Sequence, residues 1–269
     1  MSDPAENAPA EGSEPPPPEG EVRASFFDHL TELRIRLVRA LLGIAVGVAV
    51  VGWFSERLFR YVMQPVLDAL PEGQRALNYT SSLEPFLVYL KVSLYGGLFL
   101  AAPWVLFQVW LFIAPGLYKR EKKLVIPFVA VGTLLFYCGV AFTYFVVMPF
   151  AFPALTSIAG PDMKPILTMR EQLTLVLAMM LGFGVVFEIP VIIAFLAMIG
   201  LVTPEFLSKY RRHAAIVNVI LAAILTPTGD PLNLFLMAAP MIVFYEVGII
   251  AARIVGKKRK AAETAAAAS

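Results

Sequence analysis

Long apolar stretches limit what this chain can fold into. We find six, at about residues 37–54, 87–112, 124–148, 173–199, 214–225 and 234–254. Because a helix rises about 1.5 Å per residue, about 20 apolar residues cross the hydrocarbon core of a bilayer. Charged residues make up only 16% of the chain, against about a quarter in an ordinary soluble protein. The sequence therefore predicts an all-α, polytopic membrane protein with about six transmembrane helices.

The fifth stretch is shorter than the others, because Arg212 precedes it and a Thr-Pro pair at 226–227 follows it. It can cross the bilayer only as a short transmembrane helix, with help from neighbouring helices or local thinning of the bilayer. Residues 1–22 are rich in Pro, Glu and Ala, which predicts a disordered acidic tail and no cleavable signal peptide. The membrane domain then covers 23–255, and a basic, Ala-rich tail covers 256–269.

Lys and Arg residues predict the orientation. Most of the 22 basic residues lie in four flanks, at residues 23–39, 119–123, 209–212 and 253–260. Since cytoplasmic flanks carry the excess of Lys and Arg, both termini are expected in the cytoplasm. Two long loops, 55–86 and 149–172, then lie on the opposite side, where we expect a structured periplasmic cap that includes a short amphipathic stretch near residues 57–70.

The sequence lacks the residues that several classes of function need. The sequence has no Gly-rich phosphate loop, no nucleophile elbow and no His/Cys/Asp cluster with metal-ligand spacing. We therefore expect no enzyme activity, no cofactor, no metal and no nucleic-acid partner. The candidates that remain are charged groups at helix ends and one carboxylate inside a span.

The segment 26–37 has an amphipathic pattern. At 100° per residue, Phe26, Leu30 and Leu33 lie on one stripe, whereas Glu32 and Arg36 lie on the opposite face. This pattern predicts a helix in the cytoplasmic interface before the first span. From spacing alone, Glu32 and Arg36 form an i,i+4 surface pair.

The second candidate is the end of the second span. A Pro-Gly pair at 115–116 ends the span, and Trp110 and Phe112 belong to an aromatic belt at the headgroups. Glu121 is a single acid among four bases. Spacing alone favours an exposed acid neutralised by its neighbours. These bases are Lys119, Arg120, Lys122 and Lys123.

Glu188 is the third candidate. A carboxylate inside an apolar segment costs a few kcal/mol unless it faces protein or water. It therefore has either a functional role or a structural hydrogen-bonding role. Pro190 removes a backbone donor just beyond it, so the helix is expected to kink there.

Together, these motifs resemble the TatC family of twin-arginine translocation receptors. They occur in order and at matching spacing over about residues 26–255. They are HLTELRIRL at 29–37, QVW and FIAPGLY with Glu121 at 108–121, FY and FTYF at 136–145, FG and FEIP at 183–190, and LTP at 225–227.

The resemblance implies a receptor on a concave helix bundle. Such a receptor binds the Arg-Arg signal peptides of folded cargo at its cytoplasmic face. By this resemblance Glu32 and Glu121 meet the two arginines, Arg34 holds Glu32 or shapes the site, and Phe112 is the aromatic beside the motif. Lys119 and the bases near it repel loosely matched basic sequences.

The resemblance also implies partners and a location. Glu188 is expected to be the buried polar point of the concave face, near the inserted apolar part of the signal peptide. The expected partners are single-span TatA- and TatB-type subunits, in an oligomeric translocon of the bacterial inner membrane that uses the proton gradient. The turn at 226–230 is a residue longer than the family pattern, so no role is carried over to Asp230.

Two alternatives come from other function classes. One is a small ion-coupled secondary transporter that uses Glu188, although such proteins usually have repeated halves and several polar midplane residues. The other is a membrane scaffold without a ligand of its own. Only a receptor responds when Lys-Lys replaces the arginine pair of a signal peptide.

Overall fold

The described part of the protein is almost entirely helical. The computed structural model describes residues 19–70, 76–113, 125–157, 167–225 and 231–267. In these ranges the β structure is one isolated bridge. The helices are α1 (Glu19–Gly52), α2 (Ser55–Asp68), α3 (Glu84–Ile113), α4 (Val125–Phe142) with a π-helical turn (Thr143–Val147), α5 (Met148–Ser157), α6 (Met169–Val186), α7 (Ile189–Met198), α8 (Pro204–Lys209), α9 (Arg211–Leu225) and α10 (Pro231–Ala267).

Five helical segments of the described chain are long and apolar enough to cross a membrane. They are His29–Gly52, Glu84–Ile113, Ile126–Pro153, Met169–Met198 and Leu234–Gly256. The all-α, polytopic membrane fold is thus confirmed. The remaining predicted span corresponds to α9, which has only 15 residues, so a sixth crossing stays a prediction.

Helix α1 differs from the expectation for the start of the chain. It runs without a break from Glu19 to Gly52, so the segment 26–37 is not a separate interfacial helix. No glycine or proline interrupts residues 21–42, and a helix continues where nothing breaks it. The last residues of the predicted N-terminal tail, 19–22, therefore belong to α1, and residues 1–18 lie outside the described residues.

The C-terminal tail begins as a continuation of the last span. Helix α10 continues past Gly256 to Ala267. The residues beyond 256 are mostly Ala, Lys, Arg and Glu, which have the highest helix propensities. They extend the last span as a helix.

Helices α1 and α3 pack in opposite directions through glycines. A Cβ atom at Gly47 would lie 2.5 Å from the carbonyl oxygen of Gly97, and one at Gly97 would run into the backbone of Val48. Small residues let membrane helices approach this closely. Further along, the indole N–H of Trp104 donates to the carbonyl oxygen of Arg39 at 2.9 Å. This pairing brings the first residues of α1 beside the last residues of α3.

The other end of the bundle is closed by α2 and by two paired loops; we call it the cap end. The amide of Asn78 donates to the carbonyl of Leu167 at 2.9 Å, and the amide of Met169 donates back to Asn78 at 2.9 Å. The Glu84 carboxylate accepts from the amides of Thr80 at 2.7 Å and Arg170 at 3.1 Å. These bonds fix the starts of α3 and α6 to each other.

Two tyrosines of the third span satisfy carbonyls that prolines leave unpaired. The carbonyl of Phe99 lacks its usual i+4 donor because residue 103 is proline, and the hydroxyl of Tyr137 donates to it at 3.0 Å. The hydroxyl of Tyr144 donates in the same way to the carbonyl of Tyr61, at 2.9 Å, where residue 65 is proline. Both bonds supply a donor that the membrane cannot.

We expect Tyr137→Phe to lower the free energy of unfolding by about 1 kcal/mol, because it orphans the Phe99 carbonyl. In a Pro103→Ala background the same change should cost much less, since the substituted alanine supplies the missing backbone N–H. Thermal unfolding in detergent of the two single variants, the double variant and the unchanged chain measures this coupling. Equal losses in both backgrounds would show that the hydroxyl has a different role.

Candidate functional site

Glu32 lies on α1 at the end of the bundle opposite the cap, which we call the Glu32 end. Its Oε1 atom accepts from Nη2 of Arg36 at 3.2 Å, with 29% of the Glu32 side chain and 21% of the Arg36 side chain exposed. The i,i+4 pair predicted from spacing is therefore present. Within the described ranges the buried Nε atom of Arg36 has no hydrogen-bond partner.

Arg34 does not hold Glu32. Its side chain is exposed, and the ion pair of Glu32 is with Arg36. Two residues along a helix turn the side chain by about 200°, whereas four residues return it to the same face. The expectation that Arg34 pairs with Glu32 is therefore corrected to Arg36, and a role of Arg34 in shaping the site stays a prediction.

Phe112 brings the second motif to the first. Its ring stacks on the ring of His29, with centroids 4.5 Å apart and planes at 26°. His29 lies one helical turn before Glu32, and Phe112 is next to the last residue of α3. Two segments far apart in sequence thus meet at the Glu32 end. Glu121 and Lys119 lie outside the described residues, as does Asp230.

The Glu32 carboxylate is suited to exchange one guanidinium for another. Arg36 donates to one carboxylate oxygen at 3.2 Å, although a carboxylate can accept two parallel bonds from a guanidinium. An incoming arginine can therefore replace this single contact by a bidentate pair.

Glu188 lies in the break between α6 and α7. Its amide donates to the carbonyl of Val185 at 3.1 Å, and α7 then begins with Pro190 in its first turn. The side chain is only 7% exposed, and its Oε1 atom is buried without a hydrogen-bond partner in the part of the chain that the structure describes. The predicted break at Pro190 is present, and it places the carboxylate inside the bundle.

Gly132 of α4 makes the space for this carboxylate. A Cβ atom at Gly132 would lie 2.8 Å from Oε2 of Glu188. A second polar group, Gln108 of α3, is 2% exposed and keeps Oε1 without a partner among the described residues. The sequence alone assigned no role to Gly132 or to Gln108. Gln108 could have been noticed as a polar residue inside an apolar run, whereas the approach of Gly132 to Glu188 depends on tertiary packing.

The sequence matches a known family over most of its length. The sequence model of the family described as Sec-independent protein translocase protein (TatC) matches residues 28–240. The chain belongs to the TatC family. The matched range includes Glu32, Phe112 and Glu188.

Individual relatives agree with this membership. The chain is 39% identical to the Sec-independent protein translocase protein TatC of Desulforapulum autotrophicum, over 92% of this chain and 91% of that protein. It is 37% identical to the TatC protein of Escherichia coli strain K12, over 88% and 92%. A crystal structure described as the twin arginine translocase receptor TatC superposes with a TM-score of 0.76 at 33% identity, covering 84% of this chain and 99% of that one.

Membership decides between the function classes left open by the sequence. The TatC family consists of membrane components of a protein translocase and is not an enzyme family. The comparisons therefore favour the translocation receptor over an ion-coupled transporter that uses Glu188.

Proposed function

We propose that this multi-pass membrane protein is the receptor subunit of a twin-arginine translocase and binds Arg-Arg signal peptides at the Glu32 end. One observation carries the proposal. Glu32 presents a partly exposed carboxylate, held by a single contact with Arg36, where the first and second motifs meet through His29 and Phe112. A second acid, Glu121, follows Phe112 after a short segment and is the proposed partner of the second arginine.

The chemistry of the pair explains why arginine is preferred to lysine. A guanidinium presents a planar fork of donors that matches a carboxylate, whereas an ammonium is a compact point charge. Two arginines need two carboxylates, and Glu32 with Glu121 supplies them. The bases next to Glu121, Lys119 among them, repel a basic segment that does not match both acids.

The charge of the Glu32 end supports a cytoplasmic location. Arg34, Arg36 and Arg39 lie on the same part of α1, and Lys and Arg are enriched in cytoplasmic flanks. We therefore propose that both termini are in the cytoplasm and that the cap end faces the periplasm. The proposed partners are folded cargo proteins and single-span TatA- and TatB-type subunits in the bacterial inner membrane.

The test is photocrosslinking of a signal peptide in membranes that contain this protein. A peptide with Arg-Arg should crosslink to the chain, and the same peptide with Lys-Lys should crosslink at least tenfold less. A scaffold or a transporter would treat the two peptides alike. Equal crosslinking would therefore overturn the receptor proposal.

We further propose that Glu188 meets a polar or basic group of an inserted partner, either a subunit or the signal peptide. An unpartnered carboxylate oxygen inside a bundle lowers stability, so we expect Glu188→Leu to leave the unfolding temperature unchanged or higher, yet to reduce export of Arg-Arg cargo by tenfold or more. Ser93→Ala removes another buried polar group, which bonds within its own helix and lies outside the Glu188 site, and serves as the control. A large loss of stability in Glu188→Leu would instead indicate a structural role.

A further inference from the structure

An apolar groove opens on the bundle near the cap end. Its volume is about 270 Å³, and an apolar cavity of about 150 Å³ already stays dry and takes apolar ligands. Its lining comes from α2, α3, α4 with the π-helical turn, and α6. It includes Leu58, Tyr61, Phe99, Tyr137, Ala141 and Met180.

The tyrosines on the α4 side of the groove have no hydroxyl hydrogen to offer a ligand. The Tyr137 and Tyr144 hydroxyls already donate to backbone carbonyls, at 3.0 Å and 2.9 Å. Tyr61 and Tyr144 also stack on each other, with ring centroids 5.0 Å apart. What the groove presents is therefore mainly hydrocarbon and ring surface, which suits a ligand without polar groups.

The groove lies in the cap-end half of the bundle. Val92 and Phe99 line it from α3, which begins at Glu84 at the cap end and has 30 residues. At 1.5 Å per residue these positions lie about 12 and 22 Å from the start of a helix that is about 45 Å long. An acyl chain in the groove therefore enters from the leaflet at the cap end.

An exposed cation lies one helical turn from a groove residue. Arg57 follows the end of the first candidate span, Gly52, by five residues and precedes Tyr61 by one turn on the same face of α2. Its side chain is exposed, and the ion pairs among the described residues do not include it. Arg60, by contrast, is paired with Glu56 at 2.7 Å. A free guanidinium at the interface end of an apolar groove complements a phosphate above an acyl chain.

We propose that this groove is a phospholipid site, with one acyl chain between α2, α3 and α4 and the lipid phosphate at Arg57. The lipid would hold the amphipathic helix α2 against the spans. This site is separate from the Glu32 end, and it does not depend on the proposed receptor function.

The acyl-chain part is tested with a phosphatidylglycerol that carries a photoactivatable group in its acyl chain, incorporated into vesicles with the full-length protein. We expect adducts on groove residues of α2 to α4, reduced at least fivefold in Ala141→Phe, which fills the groove from an exposed position. Ala130→Phe, at an exposed site three turns away on the same face of α4, is the control and should label as the unchanged chain does.

Annular lipid or a protein partner in the groove would give different crosslinks. Equal labelling of both variants, or labelling spread over the exposed leucines of α1, would mean ordinary annular lipid and overturn the site. Groove residues that crosslink to a second protein chain and not to lipid would also overturn it.

The headgroup part is tested with a diacylglycerol probe that carries the same acyl group but no phosphate. The phospholipid probe should label the groove at least threefold more strongly than the diacylglycerol probe. Arg57→Gln should abolish this preference, whereas Arg60→Gln should keep it, because Arg60 is already paired. A preference that survives Arg57→Gln would remove the phosphate contact from the proposal.

Discussion

Replacing Glu32 by Ala should weaken binding of an Arg-Arg signal peptide by about 10- to 100-fold. A hydrogen bond to a charged group contributes about 1.5–3 kcal/mol, and each 1.4 kcal/mol is about a factor of ten in affinity. Glu32 is partly exposed, which places the expected loss below that of a fully buried interface pair. Peptide binding to the protein in detergent or vesicles, measured by fluorescence anisotropy, gives the value.

The chain contains a matched control for this change. Glu56 and Arg60 form the same i,i+4 pair on α2 at the cap end, at 2.7 Å. Glu56→Ala therefore removes an i,i+4 pair that is more exposed than the Glu32 pair, without touching the Glu32 end, and peptide affinity should not change. Glu32→Gln keeps the shape of the side chain and loses its charge, so it should resemble Glu32→Ala.

The proposed role of Glu121 makes the test sharper. Glu121→Ala should cause a loss similar to that of Glu32→Ala, and the double variant should bind Arg-Arg and Lys-Lys peptides equally. If the Glu32→Ala variant keeps the same ratio of affinities for Arg-Arg and Lys-Lys peptides as the unchanged chain, the arginine pair is recognised elsewhere.

The sequence predicted what depends on local pattern. Apolar length indicated the spans, the spacing of Glu32 and Arg36 indicated their pair, and Pro190 indicated the break beside Glu188. It did not predict that α1 is continuous, because an interfacial helix and an extended span have the same amphipathic pattern there.

Contacts between distant segments were beyond the sequence. Pro103 shows that the Phe99 carbonyl needs a donor, yet only the packing of α4 on α3 identifies Tyr137 as that donor. The stacking of His29 on Phe112 and the space that Gly132 leaves for Glu188 have the same origin. The candidate site residues could thus be proposed from motifs, whereas their neighbours could not.

Gly97→Ala should lower the stability of the protein more than Tyr137→Phe does. The added methyl group would run into the backbone of Val48 on α1, which cannot move aside as a side chain can. Overpacking of this kind typically costs about 1–3 kcal/mol and occasionally more. For a protein of this size we expect the unfolding temperature to fall by about 2–10 °C, measured by thermal unfolding in detergent.

Gly96 and Gly256 provide comparison variants for Gly97→Ala. A Cβ atom at the neighbouring Gly96 would meet only side-chain atoms of Leu58 and Val51, each at 2.8 Å, and one at Gly256 would meet nothing within 4 Å. Gly96→Ala should therefore cost less than Gly97→Ala, and Gly256→Ala should be neutral or slightly stabilising because alanine favours the helix. Equal losses for Gly96→Ala and Gly97→Ala would mean that the α1–α3 contact is not limited by backbone approach.

The same substitution connects the helix contact to the Glu32 end. If α1 moves away from α3, the ring of His29 separates from that of Phe112, and Glu32 moves away from the end of α3. Gly97→Ala should therefore weaken Arg-Arg peptide binding even at temperatures where the protein is fully folded, and Gly256→Ala should not. Normal peptide binding by a folded Gly97→Ala variant would show that the two motifs need not be held together by this contact.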